Sequence, residues 1–258
     1  MSLDLSGQVA LVTGAAHGFG RAIGLRLGGQ GAAVWALDRV GDELEATAAL
    51  ARAAGVRLTP VVCDVTDPGA VQAAVEGAAE AGGRLDILVN NAGGVVGQVG
   101  RPVETVSDDD WDAVVRANLY SAFYCIRAAA PAMKRRRYGR IVNISSGAGR
   151  SFSLTGIQAY ASAKAGQIGL TRQMAKELGA WNITVNNIAP GFVRSNPATE
   201  RQWHAMGERA QQELVEGLAL RRLGSPDDIA DGVLFFASAL AGWVTGQTLS
   251  IDGGSHMQ

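Results

Sequence analysis

The sequence predicts a single doubly wound α/β domain, with a central parallel sheet of about seven strands covered by helices on both faces. Three observations point there. Short apolar runs alternate with longer segments of helical period almost to the C-terminus. Most runs are apolar at successive rather than alternate positions, as strands buried on both faces require. The 258 residues, 47 % of them apolar, suffice for one large core, and no Pro/Gly/Ser linker, repeat or low-complexity block divides them.

In chain order, "VALVT" (9–13) is the first predicted strand, and a helix over 18–30 follows, closed by Gly31. "AAVWALD" (32–38) is the second, followed by a helix over 41–54 that stops at Gly55. "RLTPVVC" (57–63), a helix over 67–81 and "LDILVN" (85–90) continue the alternation. Ser107 is the expected N-cap of a long helix over 108–136, in which "FYCIRAAAPAM" (123–133) has a broad apolar face. Lys134, Arg135, Arg136 and Arg137 follow as cations suited to the negative end of that helix's dipole. "RIVNIS" (140–145), a helix over 158–179 and "ITVNNIA" (183–189) come next. Residues 195–218 break the rhythm as a long polar helical insertion, expected to act as a lid. A helix over 226–239 and "QTLSID" (247–252) close the chain. The apolar run "VLFFASALAGWV" (233–244) is too short to span a bilayer and reads as a buried helix.

A net charge of −1 offers no global field for DNA, RNA or an anionic membrane, so none of these is an expected partner. Cys63 and Cys125 fit neither a disulfide framework nor a CxxC site. His17, His204 and His256 lack ligand-like spacing, so no metal is expected. "MSLDLSGQVA" has no basic segment followed by an apolar stretch; no signal peptide is expected, and the expected location is the cytoplasm.

Gly14, Gly18 and Gly20 lie between the first strand and its helix with the spacing GxxxGxG. Glycines there allow a tight turn and close approach of a pyrophosphate, while the helix N-terminus supplies N–H groups and positive dipole. Asp38 ends the second strand, where a carboxylate can take both ribose hydroxyls and repel a 2′-phosphate. NAD is therefore expected in preference to NADP, although the neighbouring Arg39 could accommodate that phosphate.

"YASAK" (160–164) sets Tyr160 four residues before Lys164, in a chain with four tyrosines and three lysines. The spacing puts both on one helix face. A phenol is a poor base near neutral pH, and a nearby ammonium stabilises the phenolate. Such a tyrosine can take the hydroxyl proton from an alcohol as hydride leaves its carbon, or return it to a ketone.

With "TGAAHGFG" (13–20), "CDVTD" (63–67), "NNAG" (90–93), "RANLYS" around Asn118, "NISS" (143–146), "YASAK" and "APGFV" (189–193), nearly the whole chain resembles the classical short-chain dehydrogenases/reductases. The resemblance implies a Rossmann-like fold and makes Ser146, Tyr160, Lys164 and Asn118 the catalytic four. Ser146 would hydrogen-bond the substrate oxygen, with Ser145 as its rival; Lys164 would also hold the nicotinamide ribose, and Asn118 would anchor a water relay. It assigns Asp64 and Val65 to adenine, Asn91, Ala92 and Gly93 to the cofactor's middle, and Pro190, Gly191 and Val193 to nicotinamide. Ser195 stands where the family often has Thr and keeps the hydroxyl. Phe19 belongs to the glycine turn, as does His17, which stands where NADP-using relatives often carry Arg. The family also implies a homotetramer built through the long helices and the last strand.

The expected pocket segments are 94–102, 147–158 and the lid, which carry Gln98, Arg150, Gln158, Arg194, Asn196, Thr199 and Arg201. That polarity suggests a small substrate: a polyol, a sugar or a sugar acid such as a 2-keto-3-deoxy sugar acid. Arg150 and Arg194 are candidates for a carboxylate, or else face solvent or a neighbouring subunit. Trp203 and His204 are candidates to close over the substrate, with packing of the lid on the core as the alternative for Trp203, and Met257 and Gln258 are candidates to reach a neighbour's pocket. The alternative enzyme is a 3-oxoacyl-thioester (acyl carrier protein) reductase; the alternative outside enzymology is an NAD-binding sensor or scaffold.

Overall fold

The computed structural model describes residues 3–153 and 155–257, so the candidate contact Gln258 lies outside the described residues. Seven strands form one sheet in which every pairing is parallel: β1 Val9–Thr13, β2 Ala33–Asp38, β3 Leu58–Val62, β4 Ile87–Asn90, β5 Gly139–Ile144, β6 Ile183–Pro190 and β7 Thr248–Ile251. Their order is β3-β2-β1-β4-β5-β6-β7. The order reverses between β1 and β4, so the crevice for a dinucleotide opens there, at the carboxyl ends of the strands. β1, β4, β5 and β6 are buried along their whole length, which explains apolar residues at successive positions in them. The outermost strands β3 and β7 are mixed, and Pro60, which cannot donate to a ladder, sits on edge strand β3.

Helices cover both faces: α1 Gly18–Gly29, α2 Gly41–Ala53, α3 Pro68–Ala81, α4 Asp108–Val115, α5 Ser121–Arg136, α6 Gln158–Leu178, α7 Pro197–Gly217 and α8 Pro226–Ala237. One apolar layer joins Ile23 and Leu27 of α1 to Val233 and Phe236 of α8. The other joins Val71 and Val75 of α3 to Ile126 and Met133 of α5. Helix starts follow capping chemistry. Asp67 accepts from Gly69 and Ala70 ahead of α3, Ser107 caps α4, and Ser225 forms a capping box with Asp228 on α8.

Three departures from the sequence reading have local causes. The helix expected over 108–136 is interrupted by a π-helical turn, Arg116–Tyr120, between α4 and α5. The insertion is helical, but Gly207 at φ 74° and ψ 159° breaks α7 in its middle. "VLFFASALAGWV" is not one buried helix: α8 ends at Ala237, where Ser238 caps a short 3₁₀ turn, and Trp243 beyond it is fully exposed. No helix among the described residues is long and apolar enough to cross a membrane.

Candidate active site

The glycine turn is shaped by contacts that a side chain would fill. Gly14 and Gly18 adopt φ of +67° and +55°. A Cβ on Gly14 would meet the Ala92 backbone at 2.9 Å, one on Gly18 the Ser195 carbonyl at 2.5 Å, and one on Gly20 would run into the Gly14 carbonyl. Asn91 and Ala92 are bound to the same turn: both main-chain N–H groups donate to Thr13 Oγ1 at 3.0 Å, and Asn91 Nδ2 donates to the Thr13 and Gly14 carbonyls. His17 is the N-cap residue of α1, with Nε2 3.8 Å from Glu43. Phe19 is partly buried against the α1–α8 layer.

Asp38 faces this turn. Its Oδ2 accepts from the Ala16 N–H at 3.0 Å and its Oδ1 from the Val40 N–H at 3.1 Å, so the carboxylate is fixed at the end of β2. Arg39 is exposed beside it. Asp64, also exposed, accepts from the Thr66 N–H and hydroxyl, which hold its carboxyl below the usual range, with Arg39 adding a smaller pull. Val65 packs against the α3–α5 layer. Pro190 ends β6, Gly191 lies so close to Asp252 that a Cβ would come within 2.8 Å of its Cα, and Val193 bridges to Gly224. Ser195 follows, its N–H donating to Thr199 Oγ1 at 2.9 Å. A glycine turn closed by backbone on three sides, with a fixed carboxylate at its rim, fits the pyrophosphate and ribose of a dinucleotide.

The proton-handling groups lie between β5 and α6. Ser146 is extended after β5 and its hydroxyl bonds the Tyr160 phenol. Gly149, in the turn that follows, packs on the α6 backbone, where a Cβ would meet the Lys164 carbonyl carbon at 2.6 Å. Ser145 points elsewhere: its hydroxyl donates to the Ile188 carbonyl and accepts from Asn187 Nδ2 at 2.7 Å. Lys164 is buried, with Nζ 5.5 Å from the Tyr160 ring centroid. That ammonium donates to the Ile144 carbonyl at 2.8 Å and to Gln167 Oε1 at 3.0 Å. Asn118 is fully buried in the π-helical turn; its amide holds Gly94 from both sides, and its carbonyl accepts from Gln167 Nε2 and Ser121 Oγ.

The electrostatics correct one expectation. The neighbouring ammonium was expected to make the phenol acidic, yet burial pushes the Tyr160 phenol up and only the Ser146 hydrogen bond pulls it down. Burial also pushes the Lys164 ammonium down, to about 7, and its bonds run to Ile144 and Gln167. A buried lysine also costs stability. Because its folded pKa lies below its unfolded one, the cost is full below pH of about 7 and fades as pH rises toward the unfolded value. Lys164→Met should therefore raise the melting temperature at pH 6, and the gain should shrink at pH 9; scanning calorimetry at both pH values checks this.

The pocket segments meet as expected, since Gly100 N–H donates to the Thr155 carbonyl and Gly156 abuts Arg101. Arg194, Arg150 and Gln158 are held by other residues of the protein. The Arg194 fork grips Glu200 at 2.7 Å and lies over Trp203, which stacks on Phe192. Arg150 Nη1 donates to Ser250 Oγ at 2.7 Å, and Gln158 Nε2 to the Arg101 carbonyl at 2.7 Å. Gln98 is buried, Asn196 and Thr199 form the capping box of α7, and His204 is exposed near Glu200. Exposed large apolar side chains lie here too, at Val96, Val99, Phe152 and, on the tail, Met257, beside the exposed polar Ser151, Arg201, Gln202 and His204.

Residues 14–256 match the family model described as Enoyl-(Acyl carrier protein) reductase. The chain belongs to the short-chain dehydrogenase/reductase family. It is 40 % identical to the (2S)-[(R)-hydroxy(phenyl)methyl]succinyl-CoA dehydrogenase subunit BbsD of Thauera aromatica, over 99 % of both chains. It is 39 % identical to the 3-oxoacyl-[acyl-carrier-protein] reductase FabG of Thermotoga maritima, over 98 % of this chain and 99 % of that one. Among solved structures, levodione reductase superposes with a TM-score of 0.89 at 32 % identity, over 96 % of this chain and 97 % of that one. As a short-chain dehydrogenase/reductase the chain is an oxidoreductase of CH–OH and keto groups that uses a nicotinamide cofactor.

Sequence reasoning missed Gln167. The available signal was its place one turn beyond Lys164 on the buried face of α6.

Proposed function

We propose that this short-chain dehydrogenase/reductase interconverts a secondary alcohol and a ketone on an acyl thioester, with NAD as cofactor. One observation carries the chemistry: the Tyr160 phenol meets the Ser146 hydroxyl on one side and has Lys164 beneath its ring. Ser146 donates to the substrate oxygen, Tyr160 passes it a proton or removes one, and Lys164 keeps charge beside the phenol. The bound oxidised nicotinamide supplies the hydride acceptor and a further positive charge. Gly14, Gly18 and Gly20 hold its pyrophosphate, Asp38 the adenosine ribose, and Lys164 the nicotinamide ribose.

Two things support the thioester. The rim is apolar at Val96, Val99 and Phe152, and two relatives at 39 % and 40 % identity carry names of thioester enzymes. A second reading, a polyol, sugar or sugar acid, has Arg150 in its favour. That arginine sits at the end of the Ser146 turn. Arg194 would first have to release Glu200. The test is a panel of acetoacetyl-CoA, 3-hydroxybutyryl-CoA, polyols and sugar acids, followed by nicotinamide absorbance. Turnover confined to polyols or sugar acids would refute the thioester reading.

NAD is favoured by the fixed Asp38 carboxylate, which a 2′-phosphate would have to approach. Asp38→Ser should narrow the ratio of kcat/KM for NAD over NADP by about tenfold or more, the scale of one lost charge contact. A homotetramer is supported by exposed aromatic side chains on two faces, Trp111, Tyr120 and Phe123 on one and Phe235 and Trp243 on the other.

A further inference from the structure

Helix α6 turns one stripe of side chains inward, and that stripe carries more polar groups than packing requires. Tyr160, Lys164, Gln167 and Thr171 recur along it at helical spacing, and the last three are 3 %, 1 % and 0 % exposed. An amide as deeply buried as that of Gln167 is unfavourable unless both its ends are bonded. Both are. Oε1 accepts from Lys164 Nζ and Nε2 donates to the Asn118 main-chain carbonyl, each at 3.0 Å. That carbonyl belongs to the π-helical turn, whose wider pattern loosens carbonyls from the ordinary helical ladder. The Gln167 main chain is anchored too, since its carbonyl accepts from Thr171 Oγ1, which in turn accepts from Asn143 of β5.

The bridge has a geometric consequence. An ammonium has three N–H donors arranged about one axis. Two are directed at fixed acceptors, the Ile144 carbonyl and Gln167 Oε1, so the direction of the third is set. With Gln167 gone, the ammonium could turn about its one remaining bond. Around Lys164, Tyr160 is the titratable neighbour on α6. β5 brings the Ile144 carbonyl, the loop after β4 brings the Gly93 backbone, and the π-helical turn brings Asn118. No carboxylate pairs with Lys164 among the described residues.

We propose that Gln167 is a positioning residue of this site, whose amide ties Lys164 to the Asn118 main chain and so fixes the ammonium beside Tyr160. The inference rests on the oxidoreductase reading of Ser146, Tyr160 and Lys164. Protein labelled with ε-¹³C lysine gives three lysine resonances, and Lys164→Met identifies that of Lys164. In the parent this resonance is expected to titrate well below the ordinary lysine range, at about 7, because the ammonium is buried. Gln167→Met keeps the volume and removes both bonds. Its Lys164 midpoint should fall by about one unit or more, and kcat with acetoacetyl-CoA or the best ketone of the panel by about tenfold, with KM within about twofold. Gln167→Glu places a carboxylate against the ammonium and should raise the midpoint by a similar amount.

A Lys164 midpoint unmoved in folded Gln167→Met, or an unchanged kcat there, overturns the proposal. Should that variant not fold, an unmoved midpoint in Gln167→Glu does so instead. A merely structural glutamine would lower melting temperature without moving either titration. If Tyr160→Phe kept parental turnover, the proton-exchanging role assigned to Tyr160 would fall, while the lysine titration would still report on Gln167.

Discussion

Tyr160→Phe is expected to lower kcat by about a thousandfold, within the range spanned by general acid–base groups, and to leave NAD affinity within about threefold. The substitution removes one oxygen. Lys164 keeps its bonds to Ile144 and Gln167, and the glycine turn and Asp38 are untouched. What disappears is the atom that Ser146 bonds and that exchanges a proton with the substrate. Stopped-flow turnover beside NAD titration by fluorescence separates the two effects.

Gly20→Ala is expected to weaken NAD binding by about a hundredfold and to lower the melting temperature. Helix propensity alone predicts the opposite, since alanine inside a helix is favoured over glycine by about 1 kcal/mol. Sterics decides. A Cβ at Gly20 is driven into the Gly14 carbonyl and lies 2.7 Å from Asn91 Nδ2. The first is backbone and cannot step aside, so the turn that holds the pyrophosphate must open. Gly29→Ala is the control: it lies in the same helix, where a Cβ meets nothing within 4 Å, and it should be neutral or slightly stabilising. Calorimetry of both NAD binding and unfolding checks the pair.

How much of this was legible in the sequence depends on the kind of interaction. Central strands announced themselves because burial on both faces favours apolar residues at successive positions, as at Val9–Val12 of β1 and Ile87–Val89 of β4. Turns and caps were legible at Gly31, Gly55 and Ser107 because their chemistry is local. The π-helical turn at Asn118 was not, since the extra residue is held by a partner on α6, far along the chain. The partners of the polar pocket side chains were not legible, for a related reason. Arg194, Arg150 and Gln158 read as substrate ligands from composition, but Glu200, Ser250 and the Arg101 carbonyl take their hydrogen bonds. Composition counts donors; it does not show who already holds them. The Tyr160–Lys164 spacing was visible, whereas the burial that pushes the phenol up and the ammonium down needed the packed core.

The central claim, that Tyr160 is the proton-exchanging group, is tested most directly by pH profiles of kcat/KM in both directions on one alcohol–ketone pair. Oxidation needs the phenolate and reduction needs the phenol. One curve should rise with pH while the other falls, both governed by the same ionisation, and Tyr160→Phe should abolish both. Two profiles that rise together, or a residual profile in Tyr160→Phe with the parental midpoint, would contradict it.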